Sequence, residues 1–225
     1  MNSFYPSIIK RLIDILLSLI ALIILIPLSV IIIFVLAFEH KRFPLLMQSR
    51  GLTLTNGRVT IFKFRTLLEK EEPSYPDIKS ENIFYKPFLQ KFVPPFSGWL
   101  RKTGLDEMPQ FLNVLTGKMS IVGPRPLSLR DLQIMKENYP EFYSKRESLT
   151  AKPGISGLWQ IYGDRKKGMA NLIEMDSLYE RHYSFLTDMK IICISIYRVI
   201  TAGNSDAIVN GHMRFFKRRN LNREY

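Results

Sequence analysis

The hydrophobic pattern divides the chain sharply. From Ile15 to Phe38 no charged residue occurs, and almost every position is Leu, Ile, Val or Phe. Such a run is longer than the roughly 7–15-residue core of a secretory signal, and no small-x-small cleavage site follows it. It also meets the requirement of about 20 apolar residues for crossing a bilayer. Basic pairs flank it on both sides, Lys10-Arg11 and Lys41-Arg42. A spanning helix would place one pair on the outer face, against the tendency of basic residues to stay inside. Pro27, near the middle, deletes a backbone hydrogen bond and crowds the preceding turn, which predicts a bend or break. Two arms of about twelve residues, each about 18 Å long, then enter one leaflet and return. A kinked span and a re-entrant helix–break–helix both remain open, and the basic flanks favour the second. Ser29 is a partner for carbonyls freed near Leu22 and Ile23. Asp14, one turn after Lys10 and Arg11, is expected to pair with a cation at headgroup depth.

Beyond Lys41 the period shortens. Phe43–Met47 and Val59–Thr66 read as strands, with turns at Gly51 and Asn56-Gly57, so a small hairpin is predicted. Lys63 and Arg65 project between its apolar neighbours. Residues 69–82 are acidic and proline-punctuated and read as a surface loop. The aromatics and lysines from Ile83 to Phe96 suit either the membrane–water interface or an amphipathic helix on a core. Leu105, Met108, Leu112 and Leu115 recur at helical spacing, and Gly117 is a natural stop. The single cysteine, Cys193, lies in an apolar helical pattern and is expected as a core or interface residue in a reducing compartment. The expected fold is α-rich α+β. Residues 1–42 form the re-entrant membrane helix with basic flanks. Residues 43–203 form a small cytoplasmic domain with a short β-hairpin and interfacial amphipathic helices, and 204–225 a basic tail.

Charge narrows the function. The net charge is +12 over 225 residues, which implies an anionic partner: nucleic acid, anionic phospholipid or phosphorylated substrates. No nucleic-acid module is recognisable, so nucleic acid is not expected. Beside an apolar segment, a membrane surface and phosphates fit better. The helical stretch that opens at Leu105 carries the chemistry. Asp106 is placed to cap its N-terminus, with Pro109 in the first turn. Free N–H groups and positive dipole there suit a diphosphate and should keep Asp106 ionised, as a carboxylate nucleophile must be. Glu107 beside it, with Asp106, can ligate Mg²⁺. Arg101 can grip a phosphate oxygen bidentately. Taken alone, an Asp cap followed by Glu also begins many ordinary helices. Farther on, the prolines and glycine around Arg125 pre-aim a guanidinium. Lys152-Pro-Gly-Ile-Ser-Gly-Leu-Trp-Gln makes a tight turn with Trp159 available for stacking.

Five stretches then line up in order: Lys10-Arg11, Lys63-Phe64-Arg65-Thr66, Leu105-Asp106-Glu107-Met108-Pro109-Gln110, Gly123-Pro124-Arg125-Pro126 and Lys152–Gln160. Together they resemble the bacterial sugar transferase family, the monotopic phosphoglycosyl transferases, from about Lys10 to Ile200. Asp176-x-x-Tyr179 and Asp188-x-Lys190 look like its C-terminal elements. The resemblance implies a sugar 1-phosphate moved from a UDP-sugar to polyprenyl phosphate through a covalent aspartyl intermediate on Asp106, with release of UMP. It implies Mg²⁺ on Glu107 and Asp106, and phosphate contacts from Arg101, Arg125, Lys63 and Arg65. Lys152, Trp159 and Gln160 become candidates around the nucleotide. Lys10, Arg11, Asp14 and Pro27 belong to the membrane element, and the site faces the cytoplasm at the bacterial inner membrane. Three departures stand out. Gly104 replaces a usual Ser, Leu67 a usual Met, and Gly163-Asp164-Arg165 a usual Gly-Arg, which leaves the role of Arg165 open. A membrane-anchored scaffold would share the anchor and the basic surface but would not need Asp106, Glu107 and Arg101 together. Sugar identity, pathway and oligomeric state are not set by these residues.

Overall fold

A computed structural model describes residues 7–68, 92–164 and 167–202. The expected acidic loop at 69–82, the aromatic–lysine stretch up to residue 91, Arg165 and the tail lie outside the described residues.

Helix α1 runs from Ser7 to His40, about 50 Å at 1.5 Å per residue. Pro27 lies inside it without ending it, which corrects the expected break. Proline removes one N–H, and the rest of the ladder of a long apolar helix persists. Ser29 Oγ donates to the Leu25 carbonyl at 2.8 Å, one turn back on its own helix, and not to the carbonyls near Leu22 and Ile23. By length and composition α1 can cross a membrane. Leu19, Ile23, Ile26, Phe34 and Phe38 are exposed along it.

Both ends of α1 are gripped by the rest of the chain. Lys10 Nζ donates to Asp188 Oδ2 at 2.5 Å, to the Val122 carbonyl and to Tyr179 Oη. Arg11 donates to the carbonyls of Val114 and Leu115, the C-terminal carbonyls of α3 (Phe111–Leu115), where a cation also meets the negative end of the dipole. Asp14 is buried and its Oδ1 accepts the Ile121 N–H at 3.0 Å. It is a docking residue and not the expected headgroup ion pair, because a strand edge offers it an N–H inside the protein. At the other end, Ile32 and Leu36 are buried against Phe64, Leu100, Leu105 and Met108.

The predicted hairpin forms as β1 (Leu45–Gly51) and β2 (Val59–Phe64), antiparallel, with Leu46 opposite Lys63, Gln48 opposite Ile61 and Arg50 opposite Val59. Opposed residues share a face, so Arg50, Gln48 and Lys63 stand on one side of the sheet. A third strand, β4 (Leu127–Ser128), pairs with β1. The outer edge of β2 is sealed by Asn113, which accepts the Phe62 N–H at 3.1 Å and donates to the Thr60 carbonyl at 2.8 Å. That side chain blunts an edge that would otherwise offer free backbone groups.

A second pairing was not foreseen. β3 (Ser120–Val122) and β5 (Gly154–Ser156) run parallel, joined through α4 (Leu129–Asn138) and α5 (Pro140–Glu147). It brings the Gly123 and Lys152 motifs together backbone to backbone. A Cβ on Gly154 would stand 2.2 Å from the Gly123 nitrogen, and one on Gly157 2.2 Å from its oxygen. Glycine is required there for close approach. Helices α6 (Leu158–Tyr162), α7 (Gly168–His182) and α8 (Phe185–Ile200) complete the fold. Met119, Val122, Met135, Trp159, Leu172 and Tyr179 share its main core. Cys193 is exposed on α8, which rules out the core and leaves the interface of the two expected places, because the inward face of that helix is taken by Asp188, Ile191 and Arg198.

Candidate active site

Helix α2 (Pro95–Thr103) carries Arg101 in its last turn and ends at Gly104, whose φ of +75° only glycine adopts freely. The family's usual Ser is thus replaced by the residue this backbone favours. The chain then winds as a 3₁₀ segment from Leu105 to Gln110 before α3. Asp106 is therefore not an N-cap. Gly104 holds that place, and Asp106 is the segment's second residue. Pro109 sits late in the segment rather than in its first turn. The tighter winding, 3.0 residues per turn, also rotates the later positions. Leu105 and Met108 stay buried as expected, but Asn113 and Val114 turn inward while Leu112 is exposed.

The 3₁₀ segment packs on β2, which presents Lys63 to Asp106 and Glu107. Arg101 lies in the same field and donates to Thr66 Oγ1 at 3.2 Å. Burial pushes the Asp106 carboxyl up to about 7, and the charge of Glu107 adds to it, while Lys63 and Arg101 oppose. Burial and Glu107 thus work against the ionised form expected of Asp106, and a short 3₁₀ segment supplies only a weak dipole in its favour. Burial likewise brings Lys63 down to about 8, with Arg50 adding, against the pull of Asp106 and Glu107. Arg50 was not foreseen. Its signal was available in the alternation of β1, which puts Arg50 on the Lys63 face once the register is known. The result is a carboxylate pair in the field of Lys63 and Arg101, with Arg50 beside Lys63 and bonded to Gln48 Oε1.

The other expected site residues make contacts of their own. Arg65 donates to the Phe43 carbonyl at 3.2 Å, at the foot of the hairpin. Arg125 lies beside a buried pair: its carbonyl accepts from Arg146 Nη2 at 2.7 Å and its charge bears on Asp176. Lys152 Nζ donates to the Gly117 carbonyl at 2.8 Å and so ties the motif turn to the end of α3. Trp159 is 4% exposed and belongs to the core, not to a stacking surface, since Gly163 lies directly against its ring. The Gln160 amide is enclosed, and its backbone carbonyl accepts from Arg198. The structure thus gathers Lys63, Arg101, Asp106 and Glu107, and the later motifs tie α3, α5 and α8 to the loops at Gly123 and Lys152.

Comparison with known proteins agrees with the ordered motifs. Residues 5–202 match the bacterial sugar transferase family. The chain is 32% identical over 204 residues to the exopolysaccharide production protein ExoY of Sinorhizobium fredii, covering 87% of each chain. It is 31% identical over 194 residues to a UDP-glucose:undecaprenyl-phosphate glucose-1-phosphate transferase of Klebsiella pneumoniae, covering 84% of this chain and 39% of that protein. It is 29% identical over 204 residues to an undecaprenyl-phosphate glucose phosphotransferase of Komagataeibacter xylinus, covering 87% of this chain and 36% of that protein. With paired carboxylates and cations gathered at the Leu105–Gln110 motif, this chain belongs to the bacterial sugar transferases.

Proposed function

We propose that the protein transfers a sugar 1-phosphate from a UDP-sugar to a polyprenyl phosphate, undecaprenyl phosphate in bacteria, as the first membrane step of polysaccharide or glycoconjugate assembly. A carboxylate oxygen of Asp106 attacks the sugar-side phosphorus. The bond from that phosphorus to the bridging oxygen breaks and UMP leaves, with an aspartyl phospho-sugar remaining. A phosphate oxygen of the lipid then attacks the same phosphorus and expels the Asp106 carboxylate, giving the lipid diphosphate-sugar. The observation that carries this reading is the charge constellation: Asp106 and Glu107 half-buried against Lys63, with Arg101 in the same field. The cations hold the diphosphate against a carboxylate that shares their field.

The donor set also fits Mg²⁺. Two adjacent carboxylates that repel each other, beside cations suited to phosphate, are what this ion uses in phosphate-transfer sites. Asp106 and Glu107 would hold it, and its chemistry there would be neutralisation of the diphosphate charge. No cluster of three or more metal-binding side chains occurs among the described residues, so substrate oxygens would complete the coordination.

The membrane reading completes the proposal. α1 is held at Lys10, Arg11 and Asp14 near one end and at Ile32, Leu36 and Glu39 near the other, all by the same folded unit. A helix whose two ends belong to one domain supports re-entry into the cytoplasmic leaflet of the inner membrane over a span, with the return made by a bend at Pro27 within a continuous helix. The site then lies at headgroup depth, where the lipid phosphate is. Purified protein with Mg²⁺, polyprenyl phosphate and a panel of UDP-sugars is expected to release UMP with one sugar, and Asp106→Asn or chelation to abolish it. No release with any UDP-sugar from folded, lipid-supplied protein would overturn the reading.

A further inference from the structure

Helix α2 begins without a cap of its own. Its N-cap residue is Pro94, which offers no side-chain acceptor, and Pro95 follows at the first helical position. The first free donors of α2 belong to Phe96 and Ser97. The Phe96 N–H and the Ser97 hydroxyl are met from across the chain. Glu39 Oε1 accepts the Phe96 N–H at 3.2 Å, and Glu39 Oε2 accepts the Ser97 hydroxyl at 2.5 Å. The proton of Ser97 is thereby committed to the carboxylate, so Ser97 Oγ is the acceptor for His40 Nε2 at 2.8 Å. Ser97 is wholly buried and His40 nearly so. The last turn of the apolar helix thus holds the first turn of α2, and a carboxylate stands at the positive end of that helix. Phe96 and Leu100 pack in the cluster of Ile32 and Leu36 and fix the crossing.

The other end of α2 is the site. Arg101 stands in its last turn, Gly104 reverses the backbone, and Asp106 and Glu107 follow directly. A nine-residue helix is a stiff rod of about 13 Å, so the place of its first turn decides the place of its last. We propose that Glu39 is a positioning residue for phosphate transfer: by capping α2 from the exit of α1, it fixes where Arg101 and the Asp106–Glu107 pair stand against Lys63. The proposal rests on the transfer reaction above and adds a mechanical link between the apolar helix and the reacting groups.

The test separates capping from placement. Glu39→Ala is expected to lower kcat for UMP release about tenfold or more, since misplacement near 1 Å costs up to about a hundredfold. Glu39→Gln, which keeps one acceptor, should fall between, and serves if the alanine variant does not fold. Adding Pro94→Asp supplies a cap within α2 itself. The double variant Pro94→Asp/Glu39→Ala is expected to recover its melting temperature while kcat stays low. Its amides from Leu105 to Phe111 should exchange hydrogen faster than in the wild type. Near-wild-type kcat in Glu39→Ala, or recovery of kcat together with stability in the double variant, would overturn the proposal. An inactive wild type would overturn the transfer reaction instead, and the exchange of Leu105–Phe111 would still decide the link: unchanged exchange in the double variant would refute it.

Discussion

Asp106 is caught between two demands. Attack on phosphorus needs the charged carboxylate, while burial and Glu107 favour the protonated one. Its carboxyl is raised to about 7 from an ordinary value near 4. The folded protein therefore holds that proton more tightly than the unfolded chain, and this group takes stability away as pH rises from about 4 to 7. Asp106→Asn should then melt higher than the wild type at pH 8 in metal-free buffer, by a margin that shrinks towards pH 5. Thermal unfolding at the two pH values checks it. In Lys63→Met the carboxyl loses a cation that restrains its rise, so the same margin should grow. Mg²⁺ is expected to raise the melting temperature of the wild type, by about 1.4 kcal/mol of stability at ten times the dissociation constant, and to leave Asp106→Asn nearly unmoved. That titration tests the metal without any turnover.

Among the elements, Arg146 ties the frame behind the site. It is fully buried and donates to the Leu52 carbonyl, to Asp176 Oδ2 at 2.6 Å and to the Arg125 carbonyl. It thereby joins the hairpin turn, α7 and the Gly-Pro-Arg-Pro loop. Arg146→Met should cost about 3–5 kcal/mol in denaturant unfolding, because Asp176 is left buried without its partner. Adding Asp176→Leu should recover part of that loss. Asp176, raised to about 6 by burial even with Arg146 present, shows how little charge this interior tolerates. Nothing in the spacing of Arg146 and Asp176 announces the pair, since they meet only after α5 and α7 are packed. The hairpin, by contrast, followed from local alternation and turn residues, as did the stop at Gly117. The same local reasoning failed at Asp106, where a 3₁₀ winding replaced the expected α-turn, and at Trp159, where a turn-adjacent aromatic served the core.

For the whole molecule, the apolar run and its basic flanks were plain from composition, but what Lys10, Arg11 and Asp14 hold was not. Their partners Asp188, Val114, Leu115 and Ile121 are a hundred or more positions away, beyond any periodicity. If α1 re-enters, single cysteines placed at Ser7 and at Lys41 in a Cys193→Ser background should both resist an impermeant thiol reagent applied from outside intact cells. Labelling of either one would show a span. The grip on α1 also bears on how such a protein is made. Remove residues up to His40 and the interior loses a carboxylate acceptor for the Ile121 amide, two donors for the carbonyls ending α3, the counter-ion of Asp188 and the cap of α2. The Phe64, Leu100, Leu105 and Met108 surface would open to water at the same time. A trimmed, lipid-free version is therefore a chain with an unfinished core. The remainder of the chain can close fully only around a helix that is already in place.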